Sequence, residues 1–216
     1  MTRVLKSLNE SSPTGHPEYS IVALSYRGFW TSKGKASQKG IERDAEATLA
    51  WVQENYPNAL VILWGQSLGA GVAADLVARR LKSVSGSTNP DQQLPISGVI
   101  LETPFIGIKE MLLALYPQKW LPYRYLWPFL RSWWDNEKAL RDISALKGHR
   151  NLPIQIITAG EDEIVPESQA QYLYNLCKDL RLDVRHRDVV GALHNEVPSK
   201  SDGRAAIVSF IKEVAK

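Results

Sequence analysis

Leu60-Val61-Ile62-Leu63-Trp64-Gly65-Gln66-Ser67-Leu68-Gly69 passes from an apolar run through G-x-S-x-G into the Ala-rich stretch 68–81. The apolar run closed by glycine reads as a buried strand, and the Ala-rich stretch reads as a helix. A G-x-S-x-G between two such elements is a nucleophile elbow. The turn is expected to be too tight for side chains at Gly65 and Gly69. It is also expected to force Ser67 to a positive φ that pushes its hydroxyl out of the turn. The helix that starts there aims free N–H groups at the place where negative charge would develop. Glycine and serine are common, so the bare motif carries little. The strand before it and the helix after it give it weight.

Outward from the motif, short apolar runs alternate with helical patterns. The runs are 20–26, 60–64, 98–101, 154–158 and, more weakly, 183–190, each bounded by Gly, Pro or polar residues. Over 38–54, Ile41, Ala45, Leu49 and Val52 recur at helical spacing, with Ser37 as the N-cap. Helices also fit 68–81, 166–180 and 203–214. This alternation predicts an α/β fold: a mostly parallel sheet with helices on both faces. The run 183–190 carries Arg185, His186 and Arg187, which places it at a sheet edge. Residues 104–147 break the pattern, being too long for one crossover helix. They hold Trp120, Trp127, Trp133 and Trp134, cut by Pro117, Pro122 and Pro128. They read as a helical cap over the C-terminal edge of the sheet, inserted in a single domain spanning 1–216. The polar, Ser-rich stretch 83–93 reads as a surface loop.

A chain of 216 residues is long enough for one domain with a sizeable core. Lys plus Arg is 26 and Asp plus Glu is 23, a net charge of +3, which is too small to argue for nucleic acid. Cys177 is the only cysteine, so no intrachain disulfide is possible; it reads as buried and inert, and no zinc site has support. No apolar segment reaches the length of a membrane span. Residues 1–9 are basic but lack the apolar core of a signal peptide, and read as the end of a helix.

A serine hydroxyl needs a base to take its proton and a carboxylate to orient that base. With a G-x-S-x-G elbow the order along the chain is Ser, then Asp or Glu, then His. His16 precedes Ser67, His149 sits before a strand, and His186 sits within one. His194 lies in the loop after the last strand, at the sheet edge where such folds present their sites, and is the expected base. Asp162 leaves the end of the run 154–158 and is the leading acid. Glu102, in Glu102-Thr103-Pro104-Phe105, is its rival; Glu161 and Glu163 read as exposed loop charges.

These residues resemble the α/β-hydrolase superfamily. More narrowly, the chain looks like the Bem46-like branch that includes the α/β-hydrolase domain-containing 13 and 17 types. The matches are Tyr26-Arg27-Gly28-Phe29, the elbow, Glu102-Thr103-Pro104-Phe105, Asp162-Glu163-Ile164-Val165-Pro166 and His194-Asn195-Glu196. They extend over about 20–215. The family's triad falls on Ser67, Asp162 and His194, and its first oxyanion donor on the N–H of Leu68. The resemblance implies a hydrolase of carboxylic esters or thioesters, acting on small or acyl substrates without metal or organic cofactor. Relatives are often membrane-associated, so a cytoplasmic or membrane-bound location is implied. The cap, with Lys119, Arg124 and Arg131 among its aromatics, is a candidate for peripheral membrane contact.

The front of the chain departs from the family, in which three strands precede the run 20–26 and the third leads to a His-Gly loop that supplies the second oxyanion donor. Gly15-His16-Pro17 is not that loop, because no strand precedes it. The expectation is an N-terminally truncated fold, whose runs 20–26 and 60–64 must pair directly or leave a gap of about 10 Å. Such a chain is expected to self-associate or to work slowly. The competing reading is a non-catalytic remnant that serves as an interaction module.

Overall fold

The computed structural model describes residues 1–10, 18–85, 96–115, 132–146 and 151–216. At its centre is a four-stranded sheet of β1 (Ile62–Gln66), β2 (Gly98–Glu102), β3 (Ile154–Ala159) and β4 (Val184–Val189), in that order. All three pairings are parallel. The helices are α1 (Thr2–Glu10), α2 (Gln38–Asn55), α3 (Leu68–Ser85), α4 (Ile108–Leu115), α5 (Asn136–Ala145), α6 (Glu167–Asp179) and α7 (Ser201–Val214). Strands β2 and β3 are buried along their whole length, whereas β1 and β4 are half-exposed at the two edges. The arginine-bearing run therefore does form an edge strand.

The period-two alternation of the strands divides the core into two layers. Leu101 and Ile156 face α2, α3, α5 and α6, packing with Leu49, Leu81, Leu140 and Leu173. Ile100 and Ile157 face the other way, against Val4 and Leu8 of α1 and Ile207 and Phe210 of α7. Helix α3 is buried on most of its surface because it lies between the sheet and the outer helices α2 and α5. Gly71 makes that packing close: a Cβ there would sit 3.2 Å from Trp134 Cβ. Ser37 caps α2 by accepting from Gly40 N–H at 3.2 Å, as its sequence position suggests.

The structure corrects one element. Residues 20–26 form no strand. They run as extended coil, with Ile21 and Val22 exposed and Leu24 and Tyr26 packed against the core. Of the two alternatives, direct pairing with β1 is not the one seen: among the described residues β1 pairs only with β2. A β-forming composition makes a strand only where its backbone groups find partners. The strand expected over 60–64 also starts later and runs through Gly65 and Gln66 to the serine, while Leu60 is exposed.

Of the segment 104–147, the described ends hold α4, α5, Trp133 and Trp134. Trp134 is a core residue and Trp133 is exposed. Helix α5 packs on α3. Trp120, Trp127, Lys119, Arg124 and Arg131 lie outside the described residues, as do His16 and His149. No helix among the described residues is long and apolar enough to cross a membrane.

Candidate active site

Three strand ends converge on the site. Ser67 follows β1 directly, with φ +50, and its N–H donates to the Glu102 carbonyl at 2.9 Å. The two elbow glycines differ. A Cβ at Gly65 would overlap the Gly69 carbonyl, so glycine is obligatory there. A Cβ at Gly69 would meet only the Tyr26 hydroxyl, at 3.9 Å, so the expectation of a steric demand at both positions holds at Gly65 alone. Leu68 is the first residue of α3, where a helical N–H has no intrahelical acceptor and points into the space before the helix.

Asp162 lies beyond the end of β3 and His194 beyond the end of β4. Their loops are stitched together by Gly160 N–H to the Val189 carbonyl and Glu161 N–H to the Ala192 carbonyl, each 2.9 Å. The His194 ring Nδ1 lies 2.9 and 2.8 Å from the two carboxylate oxygens of Asp162. Each of the two side chains is only 4% exposed. Asp162 Oδ1 also accepts from the N–H groups of Ile164, at 2.9 Å, and Val165, at 2.8 Å. Burial alone would raise the Asp162 pKa. The bonds from His194 and from these two amides outweigh it and hold the carboxyl below its ordinary range. An ionised carboxylate only accepts, so the neutral ring carries its proton on Nδ1 and leaves Nε2 as an acceptor.

Glu102, the rival acid, has other partners. Its oxygens accept from Trp64 Nε1 at 2.7 Å and Gln66 Nε2 at 3.0 Å. Burial pushes it up to about 7, against those two bonds and the nearby His194. Gln66 Nε2 also donates to the His194 carbonyl, at 3.1 Å, so the residue before Ser67 is tied to the histidine loop. The structure records no hydrogen bond between the Ser67 hydroxyl and the His194 ring. Such contacts commonly tighten only around bound substrate.

Glu163, read from sequence as a loop charge, accepts from His194 N–H at 2.9 Å. His186 on β4 stacks on Tyr174 with ring centroids 5.2 Å apart, away from this cluster. In the loop 27–34, the N–H of Gly28 donates to Lys33 and that of Phe29 to Tyr26, so neither amide is free to face the elbow. Trp64 and Gln66 carry no functional expectation from the sequence, and Glu163 carries only that of a loop charge. The only available signal was their position beside the motif residues. Among the described residues no group of His, Cys, Asp and Glu is placed to hold a metal ion.

A parallel sheet carrying a serine elbow between strand and helix, with helices on both faces, is the α/β-hydrolase fold. Solved structures agree on the fold. An esterase of Pyrococcus furiosus, Pf2001, superposes with a TM-score of 0.62 at 19% identity, covering 92% of this chain and 71% of that one. A carboxyl esterase of Bacillus coagulans gives 0.58 at 15% identity, covering 88% and 76%. Curated relatives place the chain further. Lysophosphatidylserine lipase ABHD12 of Danio rerio is 32% identical over 162 residues, which is 73% of this chain and 39% of that protein. Protein bem46 of Schizosaccharomyces pombe is 29% identical over 159 residues, 73% of this chain and 46% of its own length. An uncharacterised protein of Mycobacterium tuberculosis is 29% identical over 201 residues, 91% and 61%. The chain thus spans between 39% and 61% of the length of these relatives. No protein-family model matches it. The chain has the fold of the α/β hydrolases, and its relatives support a place in their Bem46-like branch.

Proposed function

We propose that the protein is a serine hydrolase of carboxylic ester or thioester bonds, with Ser67 as nucleophile, His194 as base and Asp162 as the acid that orients it. The observation that carries this reading is the buried Asp162–His194 pair, tied through Gln66 to an elbow whose serine has φ +50. The curated lipase relative and the esterase structures favour an ester-type bond, and an acyl lipid is the substrate class most in keeping with the former.

In this mechanism Ser67 Oγ attacks the carbonyl carbon and passes its proton to His194 Nε2. The Leu68 N–H donates to the tetrahedral oxyanion. Collapse breaks the bond to the alcohol or thiol, which leaves with the proton from His194. Water, giving a proton to His194, then attacks the acyl-serine; the second collapse breaks the acyl–Oγ bond, releases the carboxylic acid and returns the proton from His194 to Ser67. Asp162 stays ionised throughout and stabilises the imidazolium. One oxyanion donor contributes about 3 to 4 kcal/mol, a hundred- to a thousandfold in rate.

An activity-based fluorophosphonate probe tests the assignment. The full chain is expected to be labelled at Ser67, and Ser67→Ala to be silent. A wild-type chain that neither takes the label nor hydrolyses p-nitrophenyl esters would favour the non-catalytic alternative.

A further inference from the structure

Beneath the histidine loop, on the α1 and α7 side of the sheet, lies a cavity of about 220 Å³ bordered by Trp64, Gln66, Glu102, Asn195 and Pro198. Glu102 is 1% exposed there, and the proposed mechanism does not use it. A buried carboxyl of this kind calls for an explanation, because its ionised form is costly unless its oxygens are engaged. Both are engaged: one accepts from Trp64 Nε1, the other from Gln66 Nε2.

The second bond decides the orientation of an amide. A carboxylate can only accept, so Gln66 must turn its NH₂, and not its oxygen, toward Glu102. That leaves the other N–H of the same nitrogen for the His194 carbonyl, 3.1 Å away. With the amide flipped, its oxygen would face the His194 carbonyl oxygen and repel it. The orientation of Gln66, and with it the hold on the histidine backbone, is therefore set from β2.

We propose that Glu102 is a positioning residue for His194, acting through the side-chain amide of Gln66. The proposal rests on the reading of His194 as the base of a serine hydrolase. The titratable groups that face Glu102 are His194, from the loop after β4, and the Met1 amino group at the start of α1, and both favour its ionised form. A protonated Glu102 would have one oxygen occupied by hydrogen and less to offer its two N–H donors. The hold on His194 should therefore weaken as the carboxyl takes up its proton near neutrality.

The test uses the full chain with Glu102→Gln, Gln66→Ala and the double variant. It reads kcat, KM and their pH profiles on p-nitrophenyl butyrate, thermal melting, and the NMR signal of the His194 Nδ1 proton. Glu102→Gln is nearly isosteric, but it puts an NH₂ against one of the two donors. It is expected to lower kcat on the order of ten- to a hundredfold, leaving KM within about twofold. It should also remove an ionisation near pH 7 from the profile and shift or broaden the His194 signal. The double variant should be no worse than the more impaired single one, because both substitutions break one route. Unchanged kcat with an unchanged His194 signal overturns the proposal. So do additive losses in the double variant, or a loss of kcat that merely tracks a loss of melting temperature with the His194 signal intact. If the wild-type chain is inert to esters and to the fluorophosphonate, the hydrolase reading fails on its own, and the His194 signal alone decides the role of Glu102.

Discussion

At the scale of the residue, Asp162 and Glu102 are two buried carboxyls that face the same histidine from distant points of the chain, and they are driven in opposite directions. Asp162 gathers a ring N–H and two backbone amides, which overcome the penalty of burial. Glu102 has only two side-chain donors, and burial dominates. Their signatures in stability are opposite. The depressed Asp162 contributes stability that is present above its ordinary pKa and is lost as pH falls through its folded value. Urea midpoints below pH 4 should therefore drop for the wild type and change less for Asp162→Asn. That variant should also lose kcat on the order of ten-thousandfold, since a neutral amide favours the wrong tautomer of His194. The raised Glu102 works the other way. Its contribution is complete below about pH 4.5 and is lost as pH rises through about 7. The shift of 2.5, from 4.5 to about 7, corresponds to about 3 kcal/mol. Stability measured from pH 5 to 8 is expected to decline in the wild type and to flatten in Glu102→Gln. Parallel slopes for the two proteins would contradict the assignment.

At the scale of the element, the elbow makes a graded demand on its glycines, and the demand can be measured. Gly65→Ala forces a Cβ into the Gly69 carbonyl, so the strand-to-helix turn must open, and the expected outcome is a chain that folds poorly or loses Ser67 labelling. Gly69→Ala meets only the Tyr26 hydroxyl at 3.9 Å and should melt near the wild-type temperature. Equal melting temperatures for the two variants would show that the turn is looser than its geometry indicates. The elbow is legible in ten consecutive residues because strand, glycine turn and helix are all local signals. The pairing of Asp162 with His194 is legible through chain order and through the rule that such folds build their sites at strand ends. Other features are hidden because they depend on distant partners. Glu102 meets Trp64 and Gln66 across separations of 38 and 36 residues, and nothing local distinguishes it from a competing acid. Residues 20–26 mislead for the converse reason. Their composition suits a strand, but composition does not supply the neighbour whose carbonyls and amides a strand needs.

At the scale of the whole molecule, the sheet is unevenly finished. On β4 the edge carries Arg185, which pairs with Asp183 and Glu213, and Arg187, so charge discourages another strand from adding there. On β1 the edge presents Ile62, Leu63 and Trp64, and among the described residues no strand pairs beyond it. An apolar edge of that kind invites pairing between copies. Light scattering after size exclusion is expected to give an apparent mass that rises with concentration. A strictly monomeric chain across the series would show that the edge is shielded.

The opposite interior layer holds a different opportunity. Cys177 is the only thiol, it lies fully buried on α6, and burial pushes it up to about 12. A thiol reagent reacts with the exposed thiolate, so a closed molecule should give no colour with it. Each modified molecule then records one excursion in which α6 parted from the sheet. The chain thus carries its own stopwatch for the breathing of its core, and the dial can be read without adding a label or removing a competing cysteine.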